Sequence, residues 1–229
     1  EAAYQLQSAA AAAPAAASAA RSAAISQLPL VEVQATGAGR DLMAVIISGD
    51  GGWAGLDRQI ASELSRRGIP VVGIDSLRYF WHARTPEETA RDVSAVMTHY
   101  AAAWRRDRVA LIGYSFGADV LPFVVNRLPA ESFARVAGVA MLEPSDSANF
   151  EIHVSNWLPG VETPGLDLVP EMAKLRPPLL CLHGDDVASS ICHAAPQAVV
   201  AQVGRGHHLG GDSGAITERV LANLRGPGA

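Results

Sequence analysis

A serine, two aspartates and two adjacent histidines lie along this chain in an order that fits nucleophilic acyl transfer. Ser115 stands in Gly113-Tyr114-Ser115-Phe116-Gly117. The apolar run Val109 to Ile112 leads into it, and a helix-compatible run, Ala118 to Leu128, leads out. Strand, Gly-x-Ser-x-Gly, helix is the arrangement of a nucleophile elbow, a tight turn that lifts the hydroxyl to the edge of a sheet. Side chains at the two glycine positions would clash with the neighbouring strand and helix. The turn also leaves the Phe116 N–H pointing at the reacting oxygen. The pentapeptide alone is a weak signal, and the flanking strand and helix carry the weight.

An activated serine needs a base to take its proton and an acid to orient that base. His183-Gly184-Asp185-Asp186 follows one apolar run, and Gly206-His207-His208-Leu209 follows the last one. Asp186 lies further into its loop and is the expected acid, with Asp185 the alternate. His207 directly follows a glycine and is the expected base, with His208 the alternate; His183 ends a strand and reads as structural. The second oxyanion donor is expected in Ser48-Gly49-Asp50-Gly51-Gly52-Trp53, where glycines let backbone N–H groups approach a ligand. Gly52 or Trp53 is the expected donor, with Trp53 either walling the pocket or simply packing. Asp119, one helical turn beyond Ser115, either is stabilised by the helix N-terminus or meets a cationic group on the substrate. Asp50 is a further candidate for substrate contact. Arg78 either pairs with a phosphate or stays solvated. No metal or cofactor is expected.

These residues need a frame. Buried apolar runs at Leu42 to Ile47, Ile69 to Ile74, Val109 to Gly113, Val136 to Leu142, Leu179 to Leu182 and Ala198 to Val203 alternate with helical patterns. The helices are expected over Asp57 to Arg67, Pro86 to about Arg105 and about Ser213 to Leu224, the second opened by Thr85 as N-cap and Pro86 in the first turn. Such alternation means an α/β fold, a mostly parallel sheet with helices on both faces. Both candidate acid and base loops then fall at the carboxyl ends of strands, where such a sheet keeps its functional loops. Pro144 to Pro178 breaks the alternation with six prolines and Trp157, and is either a short lid-like insertion or an ordinary connection.

With 229 residues and 49% hydrophobic content the chain can bury one sizeable core. Residues 1–27 are alanine-dominated and read as a linker or tether, and the domain runs from 28 to 229. A net charge of −5 leaves no basic footprint for nucleic acid. No apolar run is long enough to span a bilayer. Cys181 and Cys192 are the two cysteines of the chain. Their spacing suits a short disulfide, stabilising by roughly 2–3 kcal/mol in an oxidising compartment, or else two reduced, buried thiols.

Ser48-Gly49-Asp50-Gly51-Gly52-Trp53, Asp75-Ser76-Leu77-Arg78-Tyr79-Phe80-Trp81, Gly113 to Pro122 and Gly206-His207-His208 together resemble the VirJ/AcvB family of bacterial virulence-associated proteins. The resemblance covers the chain from about Leu28 to its end. It implies the α/β-hydrolase fold, a periplasmic location peripheral to the inner membrane, and hydrolysis of aminoacyl-phosphatidylglycerol at the membrane surface. It further implies Ser115 as nucleophile and a histidine of Gly206-His207-His208 as base. Secretion-system proteins are possible partners. Two other readings stay open: another carboxylester or thioester hydrolase, and a periplasmic binding partner or chaperone in secretion with a vestigial triad.

Overall fold

The computed structural model describes residues 25–39, 41–152, 164–185 and 190–224. Most of the expected linker, 1–24, and the expected acid Asp186 lie outside the described residues, as do Trp157 and Pro159 of the insertion. Ile25, inside the expected linker, is buried against the core. The core therefore includes a residue that composition assigns to the linker.

The chain runs β1 (Leu30–Val33), β2 (Met43–Ile47), α1 (Gly55–Arg66), β3 (Val71–Ile74), α2 (Ser76–Tyr79), α3 (Pro86–Trp104), β4 (Val109–Tyr114) and α4 (Phe116–Asn126). It continues through α5 (Ala130–Phe133), β5 (Val136–Leu142), β6 (Ser147–Ala148), β7 (Leu166–Asp167), α6 (Val169–Ala173), β8 (Leu179–His183), α7 (Ser190–His193), β9 (Ala198–Gln202) and α8 (Ser213–Asn223). Seven strands form one sheet in the order β1-β3-β2-β4-β5-β8-β9. β1 pairs antiparallel with β3, and every other pairing in that sheet is parallel. The expected architecture, a mostly parallel sheet with helices on both faces, is the one observed.

Alternation along the strands builds two cores. From β4, Val109 and Leu111 join the layer under α3 and α4, while Ala110, Ile112 and Tyr114 join the layer under α1 and α8. β4, with β2 on one side and β5 on the other, is buried at all six positions because both faces are covered. The helix starts follow local chemistry. Thr85 and Glu88 form a reciprocal capping box at α3, and the Asp212 carboxylate accepts from the Ala215 N–H at α8. Cys181 of β8 and Cys192 of α7 are joined by a disulfide.

The described residues of the insertion between β5 and β8 include a small ribbon. Ser147 and Ala148 pair with Asp167 and Leu166 as a two-stranded antiparallel ribbon. The segment is tied to the loop after β3, where Ile152 N–H donates to the Phe80 carbonyl and Arg84 N–H to that of Phe150.

Candidate active site

The site begins with the end of β4. The β4–β5 register sets Tyr114 opposite Leu142, and the Ser115 N–H donates to the Leu142 carbonyl. Ser115 then turns with φ 51° and ψ −120° before α4 starts at Phe116. This is a sparsely populated backbone conformation for a residue with a side chain. The turn is possible because Gly113 and Gly117, two positions before and after the serine, lack a Cβ. One built on Gly113 would lie 2.3 Å from the Gly117 carbonyl oxygen, and one on Gly117 would lie 2.0 Å from that of Ile47.

His207 Nε2 lies 2.8 Å from Ser115 Oγ. On the far side of the imidazole, Nδ1 lies 3.8 Å from Glu143 Oε2, within ion-pair range and longer than a hydrogen bond. Glu143 is the residue after β5, with φ 54° and a side chain only 2% exposed. Its other oxygen accepts from the Gly184 N–H at the end of β8. Glu143 is not among the acids expected from sequence. The signal for it was present: a glutamate ends a fully apolar run on the strand beside the elbow. Asp185, the alternate acid, accepts from the Gly206 N–H and lies 3.6 Å from Arg205, which ties its loop to that of the histidines.

Tyr114 secures the histidine pair. Its hydroxyl lies 3.1 Å from the His207 carbonyl and 2.7 Å from His208 Nδ1. Burial first, then the carboxylates of Asp57, Glu143 and Asp50, push the Tyr114 hydroxyl up to about 12, so it stays a neutral donor. Through this contact His208 is held by Tyr114, while His207 faces the serine.

The glycine-rich loop after β2 forms the opposite wall. Ser48 anchors it: Ser76 N–H donates to Ser48 Oγ at 2.9 Å and Ser76 Oγ donates to the Ser48 carbonyl at 2.7 Å. The Gly52 N–H donates to the Gly49 carbonyl at 3.1 Å, so the turn itself uses the donor expected for an oxyanion. Trp53 departs from the wall role. Its ring packs on Gly73 of β3, where a Cβ would come within 2.2 Å of it, and it is 8% exposed. The Phe116 N–H sits in the first turn of α4, where no intrahelical acceptor exists.

Of the two readings for Asp119, its place in the first turn of α4 fits the one that needs no substrate contact. It is buried, and its two oxygens accept from the Ser145 N–H at 2.6 Å and Ser145 Oγ at 2.9 Å. Facing inward to this loop, it fixes the residues just after Glu143 and is not presented to a ligand. Burial raises its carboxyl to about 7 against the pull of those two bonds. Arg78 is exposed on the short helix α2 and is not in the lining of the cleft.

A cleft of about 200 Å³ joins these parts. It is lined by Asp50 and Asp57, by Tyr114 and Ser115, and by His207 and His208, with the glycine loop between. Among the described residues no cluster of His, Cys, Asp and Glu could hold a metal ion. The arrangement offers a nucleophile, a base, a buried carboxylate behind the base, and backbone donors.

Solved structures with the same architecture include the esterase domain of a Rhodothermus marinus protein (17% identity, TM-score 0.60, 86% of this chain and 92% of that one). MenH from S. aureus (13%, 0.57, 86% and 97%) and olei00960, a hydrolase from Oleispira antarctica (13%, 0.61, 90% and 98%), are similar in the same way. At such identities the likeness establishes the fold, which is that of the α/β-hydrolases. No curated protein matches the sequence significantly. The family model described as bacterial virulence protein (VirJ) matches residues 41–227, and the chain belongs to that family.

Proposed function

We propose that the protein is a serine hydrolase that cleaves the aminoacyl ester of aminoacyl-phosphatidylglycerol, such as the lysyl or alanyl lipid, to free amino acid and phosphatidylglycerol. The observation that carries the hydrolase reading is the 2.8 Å approach of His207 Nε2 to Ser115 Oγ on a turn with positive φ. In this reading Glu143 is the acid that orients and stabilises the imidazolium, in the role the sequence led us to expect of Asp186.

Ser115 Oγ attacks the aminoacyl carbonyl carbon as His207 Nε2 takes its proton. The tetrahedral oxyanion is met by the Phe116 N–H and by a backbone N–H of the loop after β2, for which Trp53 remains the candidate once Gly52 is engaged with Gly49. Collapse breaks the bond to the glycerol oxygen, which leaves with the proton from His207. The aminoacyl-serine is then attacked by water, deprotonated by His207, and the amino acid departs as Ser115 regains its proton. No charge crosses Glu143; it faces the positive charge that His207 carries twice per turnover.

The substrate class follows the family resemblance and is supported by the site's shape. A cleft of about 200 Å³ suits a small acyl group, with the bulk of the lipid left outside. Trp81 and Leu166, 51% and 48% exposed, sit on segments that follow the carboxyl ends of β3 and β5. Such apolar side chains fit acyl chains or a membrane surface. A disulfide is favoured in an oxidising compartment, which supports a periplasmic location. Among the described residues no helix is long and apolar enough to cross a membrane.

The test is amino-acid release from lysyl- and alanyl-phosphatidylglycerol in mixed micelles, beside Ser115→Ala protein and a panel of short acyl esters. Serine-dependent release from the lipids, with little turnover of the simple esters, is the expected result. Folded protein that cleaves only simple esters or thioesters would assign a different substrate. Inertness toward all of them would favour a binding role in secretion.

A further inference from the structure

Asp57 stands in the first turn of α1, 3% exposed, and it lines the same cleft as Ser115 and His207. Its Oδ1 is fully buried and has no hydrogen-bond partner. Among the described residues no Lys, Arg or His forms an ion pair with it; the adjacent Arg58 instead donates through Nε to the Trp53 carbonyl at 3.2 Å. Burying a carboxylate oxygen without a partner is costly, and native structures rarely leave one so. Burial, helped by the nearby Asp75 carboxylate, raises the Asp57 carboxyl to about 7, with the Ala54 and Asp57 N–H groups pulling it partway back. The first turn of a helix is a common place for an acid, but that accounts for a solvated one, not for a buried carboxyl with an unpartnered oxygen on a residue that lines a catalytic cleft.

Ligand chemistry follows from what the wall lacks. A buried acceptor with no donor calls for a donor from the occupant, and a carboxylate prefers one that carries positive charge. In a cleft this small, a group bonded to Asp57 sits only a few bonds from a carbonyl at Ser115. The α-ammonium of an aminoacyl ester has that placement. Asp50 lines the same cleft and adds to the negative potential there.

We infer that Asp57 is the binding site for the ammonium group of the acyl part of the substrate, so that the cleft selects amino-acid esters over the same esters without the amino group. The inference rests on the aminoacyl-ester hydrolase reading for its reaction. It needs only the cleft for its binding.

The experiment has a kinetic and a binding arm. In the first, kcat/KM is measured for L-alanine methyl ester and for methyl propionate, with wild-type and Asp57→Asn protein. The ammonium activates its own ester chemically, but that factor is common to both proteins and cancels in the ratio of ratios. The preference for the amino ester is expected to fall on the order of 10- to 100-fold in Asp57→Asn, the size of a lost charge-assisted hydrogen bond. An unchanged preference overturns the inference. In the second arm, binding of L-alaninamide is followed by NMR in Ser115→Ala protein and in the same protein carrying Asp57→Asn. Saturable binding lost with Asp57 is expected, whereas equal binding, or none in either, overturns it. If wild-type protein cleaves neither methyl ester, the binding arm alone decides the ammonium site; the hydrolase reading itself fails only if alanyl- and lysyl-phosphatidylglycerol are left uncleaved as well. Thermal melting checks that the variants are folded, and Asp57→Ser is used in both arms if Asp57→Asn is not.

Discussion

Ser115 and Glu143 share an unusual backbone state: both have positive φ, as does Leu209 just after the histidines. Strain of this kind costs of order 1–3 kcal/mol per residue and persists only where the surroundings over-determine it. Here the β4–β5 register and the Gly184 contact do so, and the two side chains converge on one imidazole. Replacing Glu143 with Gln keeps the shape and removes the charge. In the proposed reaction that lowers kcat by roughly 10²–10⁴-fold, within the scale known for removing such an acid. Asp185→Asn, which disturbs only the contact to Gly206 and Arg205, is expected to change kcat far less; steady-state kinetics of both variants decide which carboxylate serves the histidine. Asp119 poses a question of protons. Ser145 Oγ has one hydrogen and two acceptors at 2.9 Å, Asp119 Oδ2 and the Ser147 carbonyl. Burial raises the Asp119 carboxyl to about 7, and in its protonated form the Ser145 hydrogen is left to the Ser147 carbonyl. The folded state then holds a proton that the unfolded chain loses near pH 4, so this group's contribution to stability falls as pH rises from about 4 to about 7. Asp119→Asn mimics the protonated form. Its melting temperature is expected to match wild type near pH 4 and exceed it at pH 8, and the opposite pH trend would contradict the assignment.

The elements explain what was legible and what was not. Strand, elbow and helix are contiguous in sequence, so Ser115 and its setting could be read from a dozen residues. His207 follows the last strand, and the carboxyl-end rule brings it to the same edge as Ser115. Glu143 depends on strand order: β5 lies between β4 and β8, so an acid can reach His207 from the end of either, and the pair Asp185-Asp186 drew attention to β8. Trp53 and Asp119 were open to misreading for a related reason. Whether a side chain faces a cleft or the core depends on neighbours such as Gly73 and Ser145, which are remote in sequence. Two predictions belong at this scale. Gly117→Ala would drive a Cβ to within 2.0 Å of the Ile47 carbonyl oxygen in the packed centre of the sheet, where nothing can yield. A loss of at least about 3 kcal/mol, or failure to fold, is expected in chemical denaturation. Reducing the Cys181–Cys192 bridge frees a loop of 11 residues and is expected to cost about 2–3 kcal/mol, measured as a shift in denaturation midpoint with and without reductant.

At the scale of the molecule, catalytic cleft and exposed apolar side chains are separable. The proposed place of the acyl group is the cleft, while Trp81 and Leu166 are exposed and not part of its lining. Trp81→Ala is therefore expected to raise KM several-fold for aminoacyl lipid in micelles and to leave KM for L-alanine methyl ester unchanged; equal effects on both would place Trp81 elsewhere in the mechanism. The layered architecture was readable from the alternation of apolar runs with helical patterns. The cleft's contents were less so, because it is assembled from the ends of β2, β4 and β9 together with the start of α1. The central claim is that Ser115 accepts the aminoacyl group from the lipid. Its most direct measurement is the intact mass, with peptide mapping, of protein acid-quenched soon after mixing with alanyl-phosphatidylglycerol, using His207→Ala alongside wild type and Ser115→Ala. The account predicts an alanyl adduct on the Ser115 peptide of the wild type, and none in either variant. Alanine released by wild type while Ser115→Ala releases it equally fast, or an adduct on another residue, would contradict it.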